Sequence, residues 1–541
     1  VTSSTEDIKK FLSEKGSKII FSTYQSSSLI VDVHNDENIP PFEIVFADEA
    51  HRCAGKVSKT FSFVLDEKKI RANKRLFFTA TPIILSNQIK KQASVNDIEI
   101  ASMDDISKFG NIFHQLKFSD AINRVPPLLT DYQVVIVGVD DPLIQQQIIN
   151  RNLLTSDEEN IYDAERLAAS ISVIKSIKDY NLKRIISFHN KVKSAEKFSS
   201  DIEKIYQLIP INEKPSWSVN SDYVSGSMNT NKRNTKLKRL KNLKSDETRI
   251  LSNARCLSEG VDVPTLDGIA FIDPKSSQID IIQAVGRAIR KSEEKKIGTI
   301  IIPVYLGDTE NLEEEILASK FNNVWKIILA LKSQDDSLME TIDRLRIQIG
   351  RGSGTSRGGD GLEKIVIVPE KISNKFSKSI KTLLVKNTSE NWYERYGELL
   401  KFFETSQEFS PEKNTPLMRW VNWQRHLYKE NRLSKERINK LNEIDKWVWN
   451  EIDANWENMY KKLIEFIKKY GHARPPQRKT ALGSWIQTQR ARYKRNQIHK
   501  EQIEKLNQIS DWSWDPFRDD WFNKLEELKL FIKENGHARP P

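Results

Sequence analysis

The stretch Ile44-Val45-Phe46-Ala47-Asp48-Glu49-Ala50-His51 decides how the rest of the chain is read. An apolar run of strand character delivers two adjacent carboxylates at its C-terminal end. In parallel α/β sheets, ligands bind just beyond the carboxyl ends of the strands. Side-by-side carboxylates at such a place suit a division of labour. Asp48 would hold Mg²⁺ through its water shell, and Glu49 would orient and deprotonate an attacking water. The plain alternative is a surface loop with two acids, and the surrounding sequence decides against it.

Working outward, short apolar runs alternate with polar, helix-like segments. Strands are predicted over Lys18–Phe21, Glu43–Ala47 and Arg75–Phe78, then over Tyr132–Val139, Arg184–Phe188, Thr248–Leu251, Gly268–Ile272 and Gly298–Val304. This pattern predicts an α/β fold with two doubly wound layers of buried parallel strands, joined by a connector around Ser102–Thr130. Thr79-Ala80-Thr81-Pro82 closes the strand after the carboxylates, where small hydroxyl side chains can bridge to a second domain. Ser258-Glu259-Gly260-Val261-Asp262-Val263-Pro264 follows a later strand, and Gln283-Ala284-Val285-Gly286-Arg287-Ala288-Ile289-Arg290 opens a helix. Arg287 and Arg290, three apart, are expected on one helix face. Arginines delivered across a cleft can neutralise charge on a transferring phosphoryl group. Each string alone is weak, but their order and placement on these elements make a surface-loop reading untenable.

Residues 313–347 read as helical, and the glycine-rich segment 350–361 reads as a linker. Beyond it the chain repeats. Trp392, Trp456 and Trp521 each open a segment, Trp447 and Trp449 recur as Trp512 and Trp514, and Gly471-His472-Ala473-Arg474-Pro475-Pro476 recurs unchanged at 536–541. Trp456, Tyr460, Leu463, Ile467 and Tyr470 mark one face of a helix that Gly471 can cap. Each unit reads as three short helices around tryptophans, and the third stops after its first helix, with an end expected to be poorly ordered.

At this point the sequence resembles superfamily 2 helicases of the DEAD/DEAH-box class, and within them the restriction-type branch. Ser22-Thr23-Tyr24-Gln25-Ser26 is similar to the DNA-contacting motif before the carboxylates. Asp48-Glu49-Ala50-His51 is similar to motif II (the DEAH box), Thr79-Ala80-Thr81 to motif III and Ile186-Ser187-Phe188-His189 to motif IV. Gly260 and Asp262 fall in a motif V, and Gln283, Gly286, Arg287 and Arg290 in a motif VI. The terminal repeats resemble the helicase-associated domain. The resemblance implies two RecA-like domains with ATP and Mg²⁺ between them and a nucleic-acid strand, expected to be double-stranded DNA, across both. The catalytic set it implies is Asp48, Glu49, His51, Gln283, Arg287 and Arg290. Asp48, Thr79, Thr81, Gly260 and Asp262 would serve the nucleotide, and Ser22, Thr23, Tyr24, Gln25, Phe188 and His189 the nucleic acid. The domains expected are a partial, N-terminally truncated first RecA-like domain at 1–126 and a second at 127–330. A helical and glycine-rich connection follows at 331–390, then repeats at 391–455, 456–520 and 521–541.

One departure matters. No Gly-x-x-x-x-Gly-Lys-Ser/Thr phosphate loop occurs in residues 1–541; Ala54-Gly55-Lys56-Val57 follows motif II and has Val57 where a hydroxyl should stand. With no such loop, backbone amides do not cradle the phosphates and no lysine reaches them. Residues 1–541 alone are therefore expected to be inactive, and the activity to belong to a longer protein. The chain opens on Val1 and closes inside a repeat, so both ends are expected to be cut. Two alternatives stand beside an ATP-dependent DNA helicase or translocase. One is the motor component of a restriction or defence system with a nuclease partner. The other is a non-hydrolysing nucleic-acid-binding array with degenerate motor domains.

Composition fits this reading. The 541 residues are 38% hydrophobic and 29% charged, as in a globular protein. No apolar run reaches the roughly 18 residues of a membrane span. Cys53 and Cys256 cannot build a disulfide scaffold, so a cytoplasmic location is expected. The net charge is +11, of which residues 392–541 carry +7 and the preceding 391 only +4. Ten of the twelve tryptophans also lie in that last segment, a basic and aromatic combination that points to nucleic acid. Arg490, Arg492, Lys494 and Arg495 are the expected phosphate contacts there, while the tryptophans are read as core.

Overall fold

The computed structural model describes residues 1–57, 60–85, 87–96, 98–139, 157–254, 265–273, 277–292, 295, 297–305, 321–352, 362, 366–367, 374–406, 408, 410–476 and 480–539. The chain forms two units, Val1–Gly397 and Glu398–Pro541.

The first unit begins with a small lobe. Strands β1 (Phe42–Ala47) and β3 (Ala72–Phe77) pair in parallel, in register from Phe42↔Ala72 to Ala47↔Phe77. Helices α1 (Thr5–Ser13) and α2 (Ser27–His34) accompany them, and Ile8, Ile30, Val33, Ala47, Ala50 and Cys53 form their common core. Two further short strands, β2 (Gly55–Lys56) and β4 (Ile100–Ala101), pair antiparallel. The expected strand over Lys18–Phe21 is not formed. Ile19 and Phe21 are 76% and 94% exposed, and no described strand lies beside them to take up the backbone hydrogen bonds that make a strand. Helices α3 (Asn87–Val95), α4 (Ile106–Phe109) and α5 (Phe118–Asn123) lead through the connector.

A seven-stranded sheet follows, all parallel, in the order β11-β5-β10-β9-β6-β8-β7. Its strands are β5 (Asp131–Val139), β6 (Arg184–His189), β7 (Ser218–Ser225), β8 (Glu247–Ala254), β9 (Gly268–Phe271), β10 (Ile297–Tyr305) and β11 (Val366–Ile367). Both faces are covered, which is why the strands read as unbroken apolar runs rather than alternations. On β5, Val134 and Ile136 enter one core with Ile282, Val285 and Trp325, while Val135 and Val137 enter the other with Ile174, Phe198 and Ile202. The second core is supplied by α6 (Asp157–Asp179) and α7 (Val192–Leu208), and the first by α8 (Thr230–Lys241), α9 (Gln278–Ala288), α10 (Asn322–Lys332), α11 (Asp336–Gly350) and α12 (Asn374–Thr388). Strand β7, Ser-Val-Asn-Ser-Asp-Tyr-Val-Ser, escapes a sequence reading because it is an edge strand and half of it is wet. Of the glycine-rich segment, only Gly350–Gly352 are among the described residues.

Helix α13 (Asn391–Thr405) opens the repeats. Its first two turns, which belong to the first unit, pack on α11: a Cβ on Gly397 would stand 2.1 Å from the Ile347 carbonyl oxygen, and Glu394 pairs with Arg346 at 2.7 Å. The second unit continues with α14 (Pro416–Lys429), α15 (Lys435–Asn442), α16 (Glu451–Tyr470), α17 (Ala481–Lys494), α18 (Lys500–Asn507) and α19 (Pro516–Asn535). Thr415 and Thr480 accept backbone N–H groups at the starts of α14 and α17. Gly471 and Gly536 end α16 and α19 in the left-handed conformation, at φ 78° and 70°, as only glycine does without strain. In the complete middle repeat Trp456, Leu463, Ile486 and Leu506 close a core. In the third repeat α19 forms over twenty residues, none of them buried, and Pro540 and Pro541, at the end expected to be poorly ordered, lie outside the described residues.

Candidate active site

The carboxylate pair sits where the strand reading put it, directly after β1. The turn is tight. Glu49 adopts φ 49° and ψ 43°, a left-handed conformation that costs a non-glycine residue about 1–2 kcal/mol. The turn is fixed on both sides: Phe78 N–H donates to the Ala47 carbonyl at 2.9 Å and Ala50 N–H donates to the Phe78 carbonyl at 2.8 Å. The exposed Asp48 side chain accepts its neighbour's N–H through Oδ1 at 2.9 Å, and its backbone carbonyl accepts the Tyr24 hydroxyl at 2.7 Å. Burial, reinforced by Cys53 and Asp48, pushes the Tyr24 hydroxyl well above its ordinary range, so it remains a donor. Its ring stacks on Phe61 at 5.6 Å. Burial also pushes the Cys53 thiol up to about 11, leaving it unreactive.

His51 links motif to motif. Its Nδ1 lies 3.3 Å from Glu49 Oε2 and 3.0 Å from Thr79 Oγ1, and Thr79 Oγ1 in turn accepts the Thr81 N–H at 3.1 Å. From the seven-stranded half, Gln283 Nε2 donates to Glu49 Oε1 at 3.2 Å across 234 residues of sequence. Asp48, Glu49, His51, Thr79, Thr81 and Gln283 are thus one constellation. Thr81 Oγ1 is buried without a hydrogen-bond partner, and Glu49 Oε2 is buried with only the 3.3 Å approach of His51 Nδ1, a state that a bound water or ligand group would relieve.

The donor set fits Mg²⁺ with a nucleotide. Among the described residues no three His, Cys, Asp or Glu side chains converge to hold a metal. An exposed carboxylate such as that of Asp48 suits an ion that keeps several waters and takes other ligands from substrate phosphates. Gly55 and Lys56 are paired in β2 with β4 rather than set in a loop at a helix start.

Helix α9, which carries Gln283, ends earlier than the sequence suggests. Ile289 is its cap, and Arg290 forms a backbone bridge with Leu129, while Thr130 donates to the Ile289 carbonyl through both N and Oγ1 at 2.8 and 2.9 Å. Arg287 and Arg290 therefore do not share a helix face; Arg287 is buried and Arg290 exposed. Lys295 Nζ donates to the carbonyls of Ala288 and Leu266 at 2.9 and 3.0 Å, and burial lowers its pKa to about 8. It fastens the C-terminus of α9 under Arg287, a role that no sequence signal announced.

The expected nucleic-acid residues divide. Ser22, Thr23 and Gln25 are exposed, but Tyr24 is committed to Asp48. Phe188 and His189 are corrected: they are 3% and 0% exposed and present no surface to a strand. Phe188 stacks on Phe271 at 5.5 Å, and His189 bonds Ser187 on its own strand and Ser194 on α7. A motif at the end of a central β-strand alternates between two covered faces, and both residues fall inside. Gly260 and Asp262 lie outside the described residues.

In the repeats Arg490 is also a structural group. Its Nε donates to the Ser513 carbonyl at 2.8 Å and its guanidinium lies 5.2 Å from the Trp512 ring. Arg425 repeats this 65 residues earlier, on the Val448 carbonyl at 2.9 Å and the Trp447 ring at 5.4 Å. Burial lowers the pKa of both. Arg492, Lys494 and Arg495 are exposed, with Lys494 paired to Asp515 at 3.0 Å.

Sequence comparison matches three families in order: "Type III restriction enzyme, res subunit" over residues 1–84, "Helicase conserved C-terminal domain" over 168–292 and "Helicase associated domain" over 389–450 and 453–515. Proteins described as a probable helicase in two isolates of African swine fever virus, one from a Kenyan pig and one from a Malawian tick, are 25% and 26% identical over 336 residues. The match takes 62% of this chain and 33% of each relative, so the chain spans about a third of their length. Among solved structures, an ATP-dependent Type ISP restriction-modification enzyme, LlaBIII, bound to DNA, superposes with a TM-score of 0.55 at 26% identity, over 92% of this chain and 32% of that one.

Proposed function

The chain belongs to the superfamily 2 helicases, in their restriction-type branch, and on that footing we propose that it is the motor of an ATP-dependent DNA translocase. The observation that carries this reading is the 3.2 Å contact from Gln283 to Glu49. It sets the carboxylate pair of one lobe against the helix that bears Arg287 in the other. ATP with Mg²⁺ would supply the phosphoryl group whose transfer drives movement. Asp48, open to solvent, would hold the ion's water shell. Glu49, its carboxylate aimed by Gln283 and His51, would orient the attacking water and take its proton. Thr79 and Thr81 would pass the state of that carboxylate towards the connector. Arg287, on a helix end fastened by Lys295 and Thr130, would neutralise charge on the phosphates as the lobes close. DNA as the track is favoured by the restriction-type relatedness, by the neighbour solved on DNA, and by the +7 charge of residues 392–541.

The test is ATP-driven displacement of a triplex-forming strand from duplex DNA by the full-length gene product. Displacement should need ATP and Mg²⁺ and vanish in Arg287→Ala. DNA-stimulated ATP turnover that is unchanged in Arg287→Ala would show that the cleft is assembled otherwise.

A further inference from the structure

The peptide that joins Asp48 to Glu49 sets the direction of both carboxylates, and it is held from two sides. Its N–H donates to Asp48 Oδ1 at 2.9 Å, and its carbonyl accepts the Tyr24 hydroxyl at 2.7 Å. The bonds from Phe78 act on Ala47 and Ala50, one residue outside the pair at either end. Glu49 meanwhile stands at φ 49° and ψ 43°, where a residue with a Cβ is strained. Rotation of the Asp48–Glu49 peptide changes the φ of Glu49, relieves that strain and re-aims the carboxylate. Tyr24 opposes the rotation by holding the carbonyl. The cost of one left-handed residue and the worth of one hydrogen bond are of the same order, so a single hydroxyl can decide the balance.

Tyr24 is firmly mounted for that task. Its ring stacks on Phe61 at 5.6 Å, and Ser27 Oγ lies 2.7 Å from the Tyr24 carbonyl oxygen and 2.9 Å from that of Thr60. Burial keeps the hydroxyl protonated, so it donates throughout the neutral range. The residues on either side of it face outward: Ser22, Thr23 and Gln25 are exposed. Thr23 caps the short turn Tyr24–Ser26, accepting the Ser26 N–H through Oγ1 at 3.3 Å. A ligand that engages the Thr23 hydroxyl or the Gln25 amide therefore acts on the turn that carries Tyr24, and the tip of the Tyr24 side chain lies at the carboxylates. Exposed polar groups flank one aromatic that is committed inward.

We propose that Tyr24 is a positioning residue for the carboxylate pair and not a contact to nucleic acid: a DNA strand seated on Ser22, Thr23 and Gln25 steadies its turn, and its hydroxyl then holds the Asp48–Glu49 peptide with both carboxylates aimed. The inference rests on the reading of the chain as a DNA motor. Its two states are the peptide held by Tyr24 and the peptide released, and DNA biases the first. Tyr24 touches neither nucleotide nor strand, so its hydroxyl acts on turnover and not on the affinity for either.

The experiment is steady-state ATP turnover by the full-length gene product with Mg²⁺ while a DNA duplex is titrated. Two variants are compared with the parent: Tyr24→Phe, which removes the hydroxyl and keeps the ring, and Phe61→Leu, which removes the stack and keeps the hydroxyl. Loss of one hydrogen bond should lower kcat of Tyr24→Phe at saturating duplex by about 5–10-fold. KM for ATP, and duplex Kd from fluorescence anisotropy, should stay within about twofold of the parent, the pattern of a group that acts only on the transition state. A Tyr24→Phe enzyme with parental kcat overturns this inference alone. So does one whose duplex Kd rises by as much as its kcat falls, since Tyr24 would then be a strand contact. A parent whose turnover does not respond to DNA overturns both this inference and the DNA-motor reading beneath it. Circular dichroism melting separates a lost bond from a lost fold. A Phe61→Leu enzyme that melts as low as Tyr24→Phe, or lower, and keeps parental kcat supports the positioning role, whereas kcat that falls in step with the melting temperature in both variants overturns it.

Discussion

Glu49 is held by more constraints than a surface carboxylate needs: a left-handed backbone, a hydrogen bond from Gln283 and a close contact with His51. Strain of that kind persists where the surroundings over-determine a conformation, as they do at reactive sites. If Glu49 is the general base, Glu49→Gln in the full-length gene product should lower steady-state ATP turnover by about 10²–10⁴-fold while nucleotide still binds. Turnover within a factor of a few of the parent would remove Glu49 from the role. A second residue-scale prediction concerns Asp267, which accepts the N–H groups of Lys183 and Arg184 at 2.9 Å each. Burial raises its pKa from 3.8 to about 6. A carboxyl raised in the folded state contributes stability below its unfolded pKa and loses it as pH rises through the folded one. In urea melts, the stability of the parent relative to Asp267→Asn should therefore fall between pH 4 and pH 7, by about 3 kcal/mol at most. A difference that stays flat across that window would mean Asp267 is ionised in the fold as it is outside it.

At the scale of elements, the middle helices of the repeats, α14 and α17, separate two kinds of cation that look alike in sequence. Arg425 and Arg490 each reach the carbonyl 23 residues on and lie over a tryptophan, and Tyr428 and Tyr493 stack on Trp449 and Trp514 at 3.9 and 4.0 Å. Arg492, Lys494 and Arg495 stand clear of that packing. Arg490→Ala should lower the melting temperature of the module, since it strands a half-buried contact worth about 1–3 kcal/mol. Arg492→Ala/Lys494→Ala/Arg495→Ala should leave the melt unchanged and weaken duplex binding, flattening the salt slope by up to about 2.7. The reverse pattern, a stable Arg490→Ala that loses DNA, would return Arg490 to the phosphate contacts. Nothing in the sequence distinguished these arginines. Their difference depends on where Val448 and Ser513 come to lie, which is a property of how the third helix of each repeat folds back.

Over the whole molecule, the missing phosphate loop bears on activity: residues 1–541 should show no Mg²⁺- and DNA-dependent ATP hydrolysis, and robust hydrolysis that disappears in Asp48→Ala would show that another segment grips the phosphates. The division of what was legible follows a physical line. Buried parallel strands, the adjacent carboxylates after β1, and the 65-residue recurrence of tryptophans could be read from sequence, because each is a local pattern enforced by burial on both faces or by repetition. The strand expected at Lys18–Phe21 failed and β7 went unseen for one reason: a strand exists through its neighbours, and sequence shows the segment but not the partner. Motif order placed Gln283 and Glu49 in the same chemistry, yet only the tertiary structure brought their side chains to 3.2 Å. It likewise buried Phe188 and His189, ended α9 before Arg290, and set Tyr24 under Asp48. Those outcomes turn on which face of an element is covered and what lies opposite it, and contacts across hundreds of residues are fixed only when the layers pack.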